Sequence, residues 1–269
     1  MKKVILITGI SSGFGKQTAR LLAEKGHTVY GTVRRNTLSD TPVHYLTMDL
    51  TDIKSIKSAV AEVIDKEGRI DVLINNAGMH TGGPIETAPS EHIRLQIDTN
   101  FFGTVNITRE VLPLMRRNGG GTIINFSSIG GLLGLPFQGF YSASKFAIEG
   151  FSEALRMEVS QFNIKVIVIN PGDFQTSNSA NRRNFLTPES ENDPYIEQFK
   201  KTLASIEKDE GNGWEPIVLA KRVVKIVECQ NPRQRYFITS FIGRLAVVAK
   251  RILPPKLFRL GIQAYYGVK

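Results

Sequence analysis

The sequence has a single cysteine and no long apolar run. Cys229 has no second cysteine with which to form a disulfide or a cysteine cluster, so we expect neither a disulfide nor a metal site. Such sparing use of cysteine is typical of the reducing cytoplasm, where we expect this protein to work. No stretch approaches the roughly 18 consecutive apolar residues of a membrane-spanning helix. The short apolar run at residues 3–8 ends in a glycine-rich turn, which indicates a buried strand and not a signal peptide.

Acidic residues are missing from one end of the chain. Residues 229–269 contain eight lysines and arginines and no aspartate or glutamate, so they carry eight of the nine net positive charges. The rest of the chain is therefore nearly neutral, which argues against a general nucleic-acid-binding protein. We expect no nucleic-acid partner.

Apolar and amphipathic segments alternate over the first two thirds of the chain. The expected strands are 3–8, 28–33, 43–48, 71–75, 121–127 and 164–170, and the expected helices are 16–26, 52–66, 90–116 and 141–161. Strands that are apolar throughout are buried on both faces, as in a parallel sheet covered by helices. The pattern predicts an α/β fold, a Rossmann-like doubly wound parallel sheet with helices on both faces, in one domain spanning residues 1–269. The ligand crevice of such a sheet lies at the carboxyl ends of its strands.

The first predicted strand runs into a glycine-rich turn, "TGISSGFG", at residues 8–15. Glycines permit a tight turn and close approach of the backbone to a pyrophosphate, and the helix that follows offers unpaired N–H groups. The spacing is G-x-x-x-G-x-G and not the G-x-G-x-x-G of many dinucleotide-binding folds. With a strand before it and a helix after it, the turn predicts a nucleotide site. Its candidate contacts are Gly9, Ser11, Ser12, Gly13, Phe14 and Gly15.

The residues after the second predicted strand indicate which dinucleotide binds. An acidic residue there would accept hydrogen bonds from the ribose 2′-hydroxyl of NAD and repel a 2′-phosphate. In "GTVRRN", Val33 takes that position, and Arg34 and Arg35 follow. Guanidinium groups suit a phosphate because they form paired hydrogen bonds with it. We therefore expect NADP(H) to be preferred over NAD(H), with Arg34 a better candidate than Arg35.

Two further strand ends carry candidate contacts to the adenosine. "MDL" at residues 48–50 places Asp49, followed by Leu50, where the carboxylate would accept a hydrogen bond from the adenine amino group. "NNAG" at residues 75–78 ends the next strand. There Asn76, Ala77 and Gly78 would let the backbone pass close to the ribose.

Six motifs occur in one order along the chain. They are "TGISSGFG" at 8–15, "NNAG" at 75–78, Asn100 in "DTNFFGT", Ser128 in "NFSSIGG", "YSASK" at 141–145 and "PGDFQT" at 171–176. In this combination the chain resembles the short-chain dehydrogenase/reductase family in its single-domain form. The resemblance covers about residues 3–176 and implies hydride transfer between a nicotinamide cofactor and a hydroxyl/carbonyl pair.

The resemblance implies a task for each catalytic candidate. Tyr141 and Lys145 would lie one turn apart on the same face of a helix. A free phenol titrates near pH 10, so Tyr141 needs a nearby positive charge to exchange a proton at neutral pH. Lys145 would supply that charge and bind the nicotinamide ribose. Ser128, 13 residues before the tyrosine, would hydrogen-bond the substrate oxygen in preference to Ser127, and Asn100 is expected to hold a water that links Lys145 to solvent.

The motif "PGDFQT" at residues 171–176 is expected to lie along the nicotinamide. Pro171 and Gly172 would shape the turn, and Thr176 would bond the carboxamide. Phe174 stands where the family often has valine or isoleucine, so only its backbone contact is carried over.

Residues 177–216 are too long for a tight connection and have helical character from about 194 to 209, so we expect a substrate lid, as in the family. The residues expected near the pocket are Met79, His80, Leu132, Leu133, Phe137, Phe140 and Phe174. They predict a lipophilic substrate, such as a steroid-, retinoid- or long-chain-keto-like molecule, whose oxygen contacts Ser128 and Tyr141. His80 is interpreted as a pocket wall or surface residue.

The C-terminal extension, about residues 240–269, has an amphipathic pattern. Phe241, Leu245, Val248 and Ile252 fall on one helical stripe and basic residues fall on another. We favour the interpretation that the apolar stripe covers the enzyme's own core or a subunit partner, because most amphipathic helices face a core. The alternative is peripheral contact with an anionic membrane surface.

Together these patterns predict an NADP(H)-dependent oxidoreductase that interconverts a carbonyl and a secondary alcohol on a lipophilic small molecule. The alternative is a catalytically silent NADP-sensing binding protein, which the complete Asn-Ser-Tyr-Lys set disfavours. A nucleotide-sugar epimerase or dehydratase shares the fold, but the short chain and the spacing of the phosphate turn disfavour it. Because the family builds oligomers on the helices at 90–116 and 141–161, we expect a homodimer or homotetramer.

Overall fold

Strands and helices alternate along the part of the chain that the structure, a computed structural model, describes: residues 1–35, 42–175, 183–184 and 193–268. The strands are β1 (Val4–Ile7), β2 (Thr28–Val33), β3 (His44–Thr47), β4 (Val72–Asn75), β5 (Thr81–Gly82), β6 (Gly121–Phe126), β7 (Ile164–Pro171), β8 (Arg183–Asn184) and β9 (Arg235–Ile238). The helices are α1 (Gly13–Glu24), α2 (Ile53–Glu67), α3 (Ser90–Ile97), α4 (Gly103–Arg117), α5 (Gly139–Val159), α6 (Ile196–Gly211), α7 (Pro216–Glu228), α8 (Phe241–Ile252) and α9 (Pro255–Tyr266).

Seven of these strands form one parallel sheet in the order β3-β2-β1-β4-β6-β7-β9. The chain starts near the centre, winds outward to β3, returns to β4 beside β1 and then winds outward in the other direction. This order confirms the predicted doubly wound sheet. Its switch point lies between β1 and β4, where a crevice opens at the carboxyl ends of the strands.

Alternate side chains of β1 enter two separate cores. Ile5 and Ile7 belong to the cluster that includes α1 and α7, whereas Val4 and Leu6 belong to the cluster that includes α2, α4 and α5. Because successive side chains of a strand point to opposite faces, a strand covered on both faces has to be apolar throughout. Helix packing on both faces therefore accounts for the unbroken apolar runs in the sequence.

The helix predicted at residues 90–116 is in fact two helices joined by a π-helical turn. α3 ends at Ile97, Asp98–Phe102 form the turn, and α4 continues from Gly103. Such turns are rare and are frequent at functional sites. Asn100 lies in the middle of the turn and is buried.

Sequence reasoning misses α7, β9 and the two-residue strands β5 and β8. α7 packs against α1, and β9 adds a strand to the edge of the sheet beside β7. The helix expected at 194–209 is confirmed as α6. The neighbouring segments of the expected lid, residues 176–182 and 185–192, lie outside the described part of the chain.

The apolar stripe of α8 is exposed. The exposed fractions of Phe241, Leu245, Val248 and Ile252 are 79%, 54%, 49% and 73%. The expectation that this stripe covers the enzyme's own core is therefore wrong.

The apolar stripe of α8 is exposed because the opposite side of the helix, which carries a glycine, is the side that packs inward. Gly243 and Val247 are the residues that α8 buries. A Cβ placed on Gly243 would lie 2.3 Å from Oγ1 of Thr239, so the helix approaches the end of β9 at a distance that only glycine allows. Packing this glycine inward turns the apolar stripe outward.

Candidate active site

The turn after β1 requires glycine at residues 9, 13 and 15. Gly9 has a φ of +72° and Gly13 a φ of +55°, in the left-handed region that favours glycine. A Cβ on Gly9 would lie 2.8 Å from Cα of Ala77, and a Cβ on Gly15 would lie 2.2 Å from the carbonyl oxygen of Gly9. The turn therefore runs close to the end of β4 and leads directly into the first turn of α1.

The "NNAG" segment ties this turn to β4. The Nδ2 of Asn76 donates hydrogen bonds of 2.9 Å to the carbonyl oxygens of Thr8 and Gly9. In return, Oγ1 of Thr8 accepts hydrogen bonds from the backbone N–H groups of Asn76, at 3.1 Å, and Ala77, at 3.0 Å. Thr8 is a structural residue that sequence reasoning does not single out. These four bonds fix the turn without using the N–H groups at the start of α1.

A cavity of about 330 Å³ opens above the switch point. The predicted site residues that line it are Gly9, Ser11, Ser12, Gly13, Phe14, Arg34, Asp49, Leu50, Asn76, Ala77, Gly78, Ser128, Tyr141, Lys145, Pro171, Gly172 and Phe174. Among the predicted residues that the structure describes, Gly15, Arg35 and Asn100 do not line it. Thr176 lies outside the described residues. The structure thus brings candidates from six strand ends and α5 to one cavity.

Arg34 and Asp49 lie at the end of the cavity formed by β2 and β3. Oδ1 of Asp49 accepts hydrogen bonds from the backbone N–H of Thr51, at 2.8 Å, and from its hydroxyl, at 2.7 Å. These hydrogen bonds lower the pKa of Asp49, and the positive charge of Arg34 adds to the effect. Arg35 is exposed and is not among the residues that line the cavity. Of the two arginines, only Arg34 is placed to contact a ligand in this cavity.

Lys145 is buried beside Tyr141 on α5. Its Nζ donates a 2.9 Å hydrogen bond to the carbonyl oxygen of Phe126 and lies 5.9 Å from the centroid of the Tyr141 ring. Burial lowers the pKa of Lys145 to about 8, although the nearby carboxylate of Glu149 opposes the shift. The lysine is therefore a cation that titrates close to the physiological range.

The two serines after β6 have different surroundings. The hydroxyl of Ser127 donates a 3.4 Å hydrogen bond to the carbonyl oxygen of Lys145, so this residue fastens β6 to α5. Oγ of Ser128 accepts a 3.0 Å hydrogen bond from the backbone N–H of Gly130. That acceptor role leaves the hydroxyl proton of Ser128 available to a ligand in the cavity.

Gly130 lies between Ser128 and Tyr141 in the site. Sequence reasoning does not identify this residue. A Cβ at this position would lie 3.3 Å from Cε1 of Tyr141 and 3.5 Å from Oγ of Ser128. The absence of a side chain at residue 130 therefore lets the two candidate groups approach the same space.

Asn100 supports the site from behind the cavity wall. Its Oδ1 accepts a 2.8 Å hydrogen bond from the backbone N–H of Met79, and its Nδ2 donates to Met79 O, at 2.9 Å, and to Ser144 Oγ, at 3.0 Å. A Cβ on Gly78 would lie 3.3 Å from this Oδ1 and 3.6 Å from Nζ of Lys145. Asn100 thus lies beside the lysine, and the bonds that hold its side chain go to the loop after β4 and to α5.

A buried polar network joins β7, β9 and α5 behind Ser128. Nδ2 of Asn170 donates to the carbonyl oxygen of Ser128, at 3.0 Å, and to Oε1 of Glu149, at 2.6 Å. Arg235 pairs with Oε2 of Glu149 at 2.6 Å and donates to Oδ1 of Asn170 at 2.9 Å. The network holds the side chain of Glu149 in the interior, one turn after Lys145. Its members are far apart in sequence, and no local motif marks them.

Aromatic rings line the side of the cavity that is formed by the loop after β7. Phe174 is buried and meets Phe14 edge-on, with ring centroids 5.0 Å apart, and Trp214 at 5.9 Å. Gly172 packs against Thr239, whose Oγ1 would lie 1.9 Å from a Cβ at residue 172. The loop after β7 therefore lies against β9, and the ring of Phe174 fills space beside the phosphate turn.

The remaining wall combines apolar and acidic side chains. Its apolar members are Met79, Leu95, Leu135, Ile206 and Tyr266, and His80 joins them as a pocket wall. Leu132, Leu133, Phe137 and Phe140, which were expected near the pocket, are not among the described residues that line it.

Three carboxylates line the same wall, at Asp173, Asp209 and Glu210. Removal of the Asp173 carboxyl from water, together with the negative charge of Asp209 and Glu210, raises its pKa to about 6. This part of the cavity is therefore strongly negative.

Comparison with known proteins agrees with the fold. The model of the short chain dehydrogenase family matches residues 3–186. The chain therefore belongs to the short-chain dehydrogenase/reductase family, and it is an NAD(P)-dependent oxidoreductase.

Two relatives and one solved structure illustrate the similarity. The chain is 46% identical over 267 residues, 99% of each chain, to a 3-ketodihydrosphingosine reductase of Bacteroides thetaiotaomicron. It is 36% identical, over 94% of each chain, to an uncharacterized oxidoreductase of Bacillus subtilis. The structure of a short-chain dehydrogenase from Streptomyces avermitilis superposes with a TM-score of 0.82 at 29% identity, covering 99% of this chain and 97% of that one.

Proposed function

We propose that this protein is an NADPH-dependent reductase that converts the ketone of a long-chain amino ketone to a secondary alcohol. The observation that carries the proposal is the meeting of Ser128, Tyr141 and Lys145 in the cavity that also contains the glycine turn. A proton donor, a hydrogen-bond donor and a cation beside a nucleotide site are the groups that carbonyl reduction requires.

The cavity fits a dinucleotide. The turn at residues 9–15 leaves no room for a side chain at Gly9 or Gly15 and presents the start of α1, as a pyrophosphate requires. Arg34 would contact the adenosine end, and Gly78, Lys145 and Gly172 would line the nicotinamide end. The cofactor, when bound, supplies the hydride.

Tyr141 is the proton donor of the proposed reaction. Its phenol gives a proton to the carbonyl oxygen as negative charge develops there, and the hydroxyl of Ser128 donates a hydrogen bond to the same oxygen. The ammonium of Lys145 lowers the cost of the resulting phenolate. Asn100 holds the loop after β4 against α5 and thereby keeps Gly78 beside the lysine.

The preference for NADPH rests on Arg34. Arg34 lines the cavity where a ribose 2′-phosphate would lie, and Val33 stands in the place of the acidic residue that would repel it. NADPH is the usual reductant of biosynthetic reactions, so reduction is the proposed direction.

The substrate class follows from the wall of the cavity and from the relative of Bacteroides. That relative is by name a reductase of 3-ketodihydrosphingosine, which is a ketone with a hydrocarbon chain on one side and an amine on the other. The apolar wall suits the chain. The carboxylates of Asp173, Asp209 and Glu210 suit the ammonium group.

We also propose that the enzyme works in the cytoplasm as a homodimer or homotetramer, built on the surface of the long helices α4 and α5, as in its family.

The test is NADPH consumption with a matched panel of ketones: a long-chain amino ketone, the same chain without the amine, and a short-chain ketone. We expect the amino ketone to have the highest kcat/KM. Tyr141→Phe is expected to lower kcat by about 10²- to 10⁴-fold, the usual contribution of general acid–base catalysis. NADPH binding, followed by nucleotide fluorescence, should be retained by this variant. A native protein that binds NADPH but reduces no ketone in the panel would instead be the silent sensor.

A further inference from the structure

The exposed apolar side chains of the protein are concentrated in its last two helices. Among the large apolar residues that are exposed in the described part of the chain, nine of seventeen fall within residues 241–265. They are Phe241, Ile242, Leu245, Val248, Ile252, Leu253, Leu257, Leu260 and Tyr265. Isolated exposed apolar residues are ordinary, but a cluster of this kind marks an interaction surface. We call these nine residues the apolar C-terminal face.

The same two helices are basic. The cations of α8 and α9 are Arg244, Lys250, Arg251, Lys256 and Arg259, and all of them are exposed. No acidic residue occurs between residues 229 and 269 to balance them. A symmetric contact with a second copy of the chain would bring two such clusters together, and like-charge repulsion opposes that contact. An anionic lipid bilayer matches both properties, because it offers an apolar interior below a negative surface.

The apolar C-terminal face lies beside the catalytic cavity. Tyr266 lines the cavity, and its neighbour Tyr265 donates a 2.8 Å hydrogen bond to Asp209, another lining residue on α6. At α8, Nζ of Lys250 donates a 2.5 Å hydrogen bond to the carbonyl oxygen of Leu132, in the loop that follows Ser128. Both helices are thus attached to segments that border the cavity.

We propose that α8 and α9 dock the protein peripherally on an anionic bilayer, with the apolar C-terminal face in the interface and the basic side chains at the lipid headgroups. In this orientation the cavity lies next to the lipid, and a lipophilic ketone enters from the bilayer. The docking stands independently of the reaction, whereas entry of the ketone rests on the proposed function. No helix in the described ranges has the length and hydropathy to cross a membrane.

The docking is tested with the full chain by co-sedimentation with vesicles. Wild-type protein should pellet with vesicles of phosphatidylglycerol and phosphatidylcholine and stay in solution with pure phosphatidylcholine. The double substitution Leu245→Ser and Val248→Ser should weaken partitioning about tenfold or more, because it removes two apolar side chains from the interface. These side chains face solvent, so the variant should keep its circular dichroism spectrum.

The matched control, Ile53→Ser with Met157→Ser, removes two exposed apolar residues from α2 and α5 and should pellet like the wild type.

The electrostatic part is tested by removing charge. Arg251→Ala with Arg259→Ala should weaken binding about 25-fold, since a basic residue at an anionic surface contributes ~1 kcal/mol, or about fivefold. Lys54→Ala with Lys57→Ala removes the same charge from exposed positions on α2 and should leave binding unchanged.

Two results would overturn the proposal. One is wild-type protein that stays in solution with both kinds of vesicle. The other is a Leu245/Val248 variant that binds anionic vesicles as strongly as the wild type. If that variant instead sediments as a smaller species than the wild type, and the wild type binds no vesicles, the face is a subunit contact.

Entry from the bilayer is tested with two ketones. The Leu245/Val248 variant should reduce a vesicle-embedded long-chain amino ketone more slowly than the wild type and a short water-soluble ketone equally fast. Equal rates on both ketones would refute entry from the bilayer. If the wild type pellets with vesicles but reduces neither ketone, the proposed function fails and the docking remains.

Discussion

The rings of His80 and Tyr141 lie face to face, with centroids 4.2 Å apart and planes inclined by 29°. His80 also lines the cavity, so the imidazole stacks on the proposed proton donor at the cavity wall. A packed ring restricts rotation of the phenol and thereby fixes the direction of its hydroxyl.

This stacking predicts a graded effect of substitution at His80. His80→Ala should lower kcat about 2- to 10-fold, because a stacked aromatic pair contributes roughly 0.5–1.5 kcal/mol. His80→Phe retains a ring and should recover most of that loss. Single-turnover rates of NADPH oxidation provide the measurement. If the two variants were equally slow, the imidazole itself and not its ring stacking would be the important feature.

The pKa of Lys145 predicts the pH dependence of reduction. In the proposed reaction the lysine must be charged to stabilise the phenolate of Tyr141, and its pKa is lowered to about 8. The value of kcat/KM, which reports the free enzyme, should therefore be level below pH 8 and fall above it. A profile that rises through pH 8 would contradict the role of this ammonium group.

Substitution of Glu149 should change the pH at which kcat/KM begins to fall. Its carboxylate favours the charged form of Lys145, so its removal lowers the lysine pKa. In Glu149→Gln the fall in kcat/KM should begin at lower pH than in the wild type. The control is Glu153→Gln, one turn further along α5 and exposed, whose profile should match the wild type. If Glu149 had only a structural role, Glu149→Gln would lower kcat/KM at every pH, and the fall would begin at the same pH as in the wild type.

Arg34 and Arg35 offer a matched pair for cofactor choice. Arg34→Ala should raise the KM for NADPH about 10- to 150-fold, because hydrogen bonds to a charged group contribute ~1.5–3 kcal/mol. The KM for NADH should change little. Arg35→Ala should leave the KM values for NADPH and NADH close to those of the wild type. Arg35 is not one of the described residues that line the cavity. Wild-type rates that are equal with NADH and NADPH would refute the argument for a 2′-phosphate contact.

The close approach of Gly172 to Thr239 predicts a coupled pair of substitutions. A Cβ at residue 172 would lie 1.9 Å from Oγ1 of Thr239, so Gly172→Ala should destabilise the fold by about 1–3 kcal/mol through overpacking. Adding Thr239→Ala removes the closest obstructing atom, Oγ1, and leaves Cβ of Thr239 at 2.6 Å, so it relieves part of the clash. The double variant should therefore be more stable than the sum of the single effects predicts. Free energies of unfolding from urea titration measure the coupling, and simple additivity would show that the backbone shifts to relieve the clash.

The sequence by itself determines the local parts of this protein. Apolar strands, the glycine turn and the spacing of Tyr141 and Lys145 are properties of short segments, because periodicity and backbone freedom depend on near neighbours. The parallel sheet, the order of its elements and most of the cavity lining follow from these segments. The missed strand β9 shows the limit, since an edge strand with half-buried side chains lacks the unbroken apolar run of the central strands.

Only the tertiary structure decides which distant residues meet. The sheet order places β9 beside β7, and this brings Arg235 to Glu149 and Asn170 behind Ser128, a network that no spacing along the chain reveals. The same holds for the stripe on α8. Its amphipathic pattern is a property of the sequence, but the face that is buried depends on what the rest of the fold packs against Gly243 and Val247. Periodicity defines the faces of a helix, and the shape of its neighbours selects the one that turns inward.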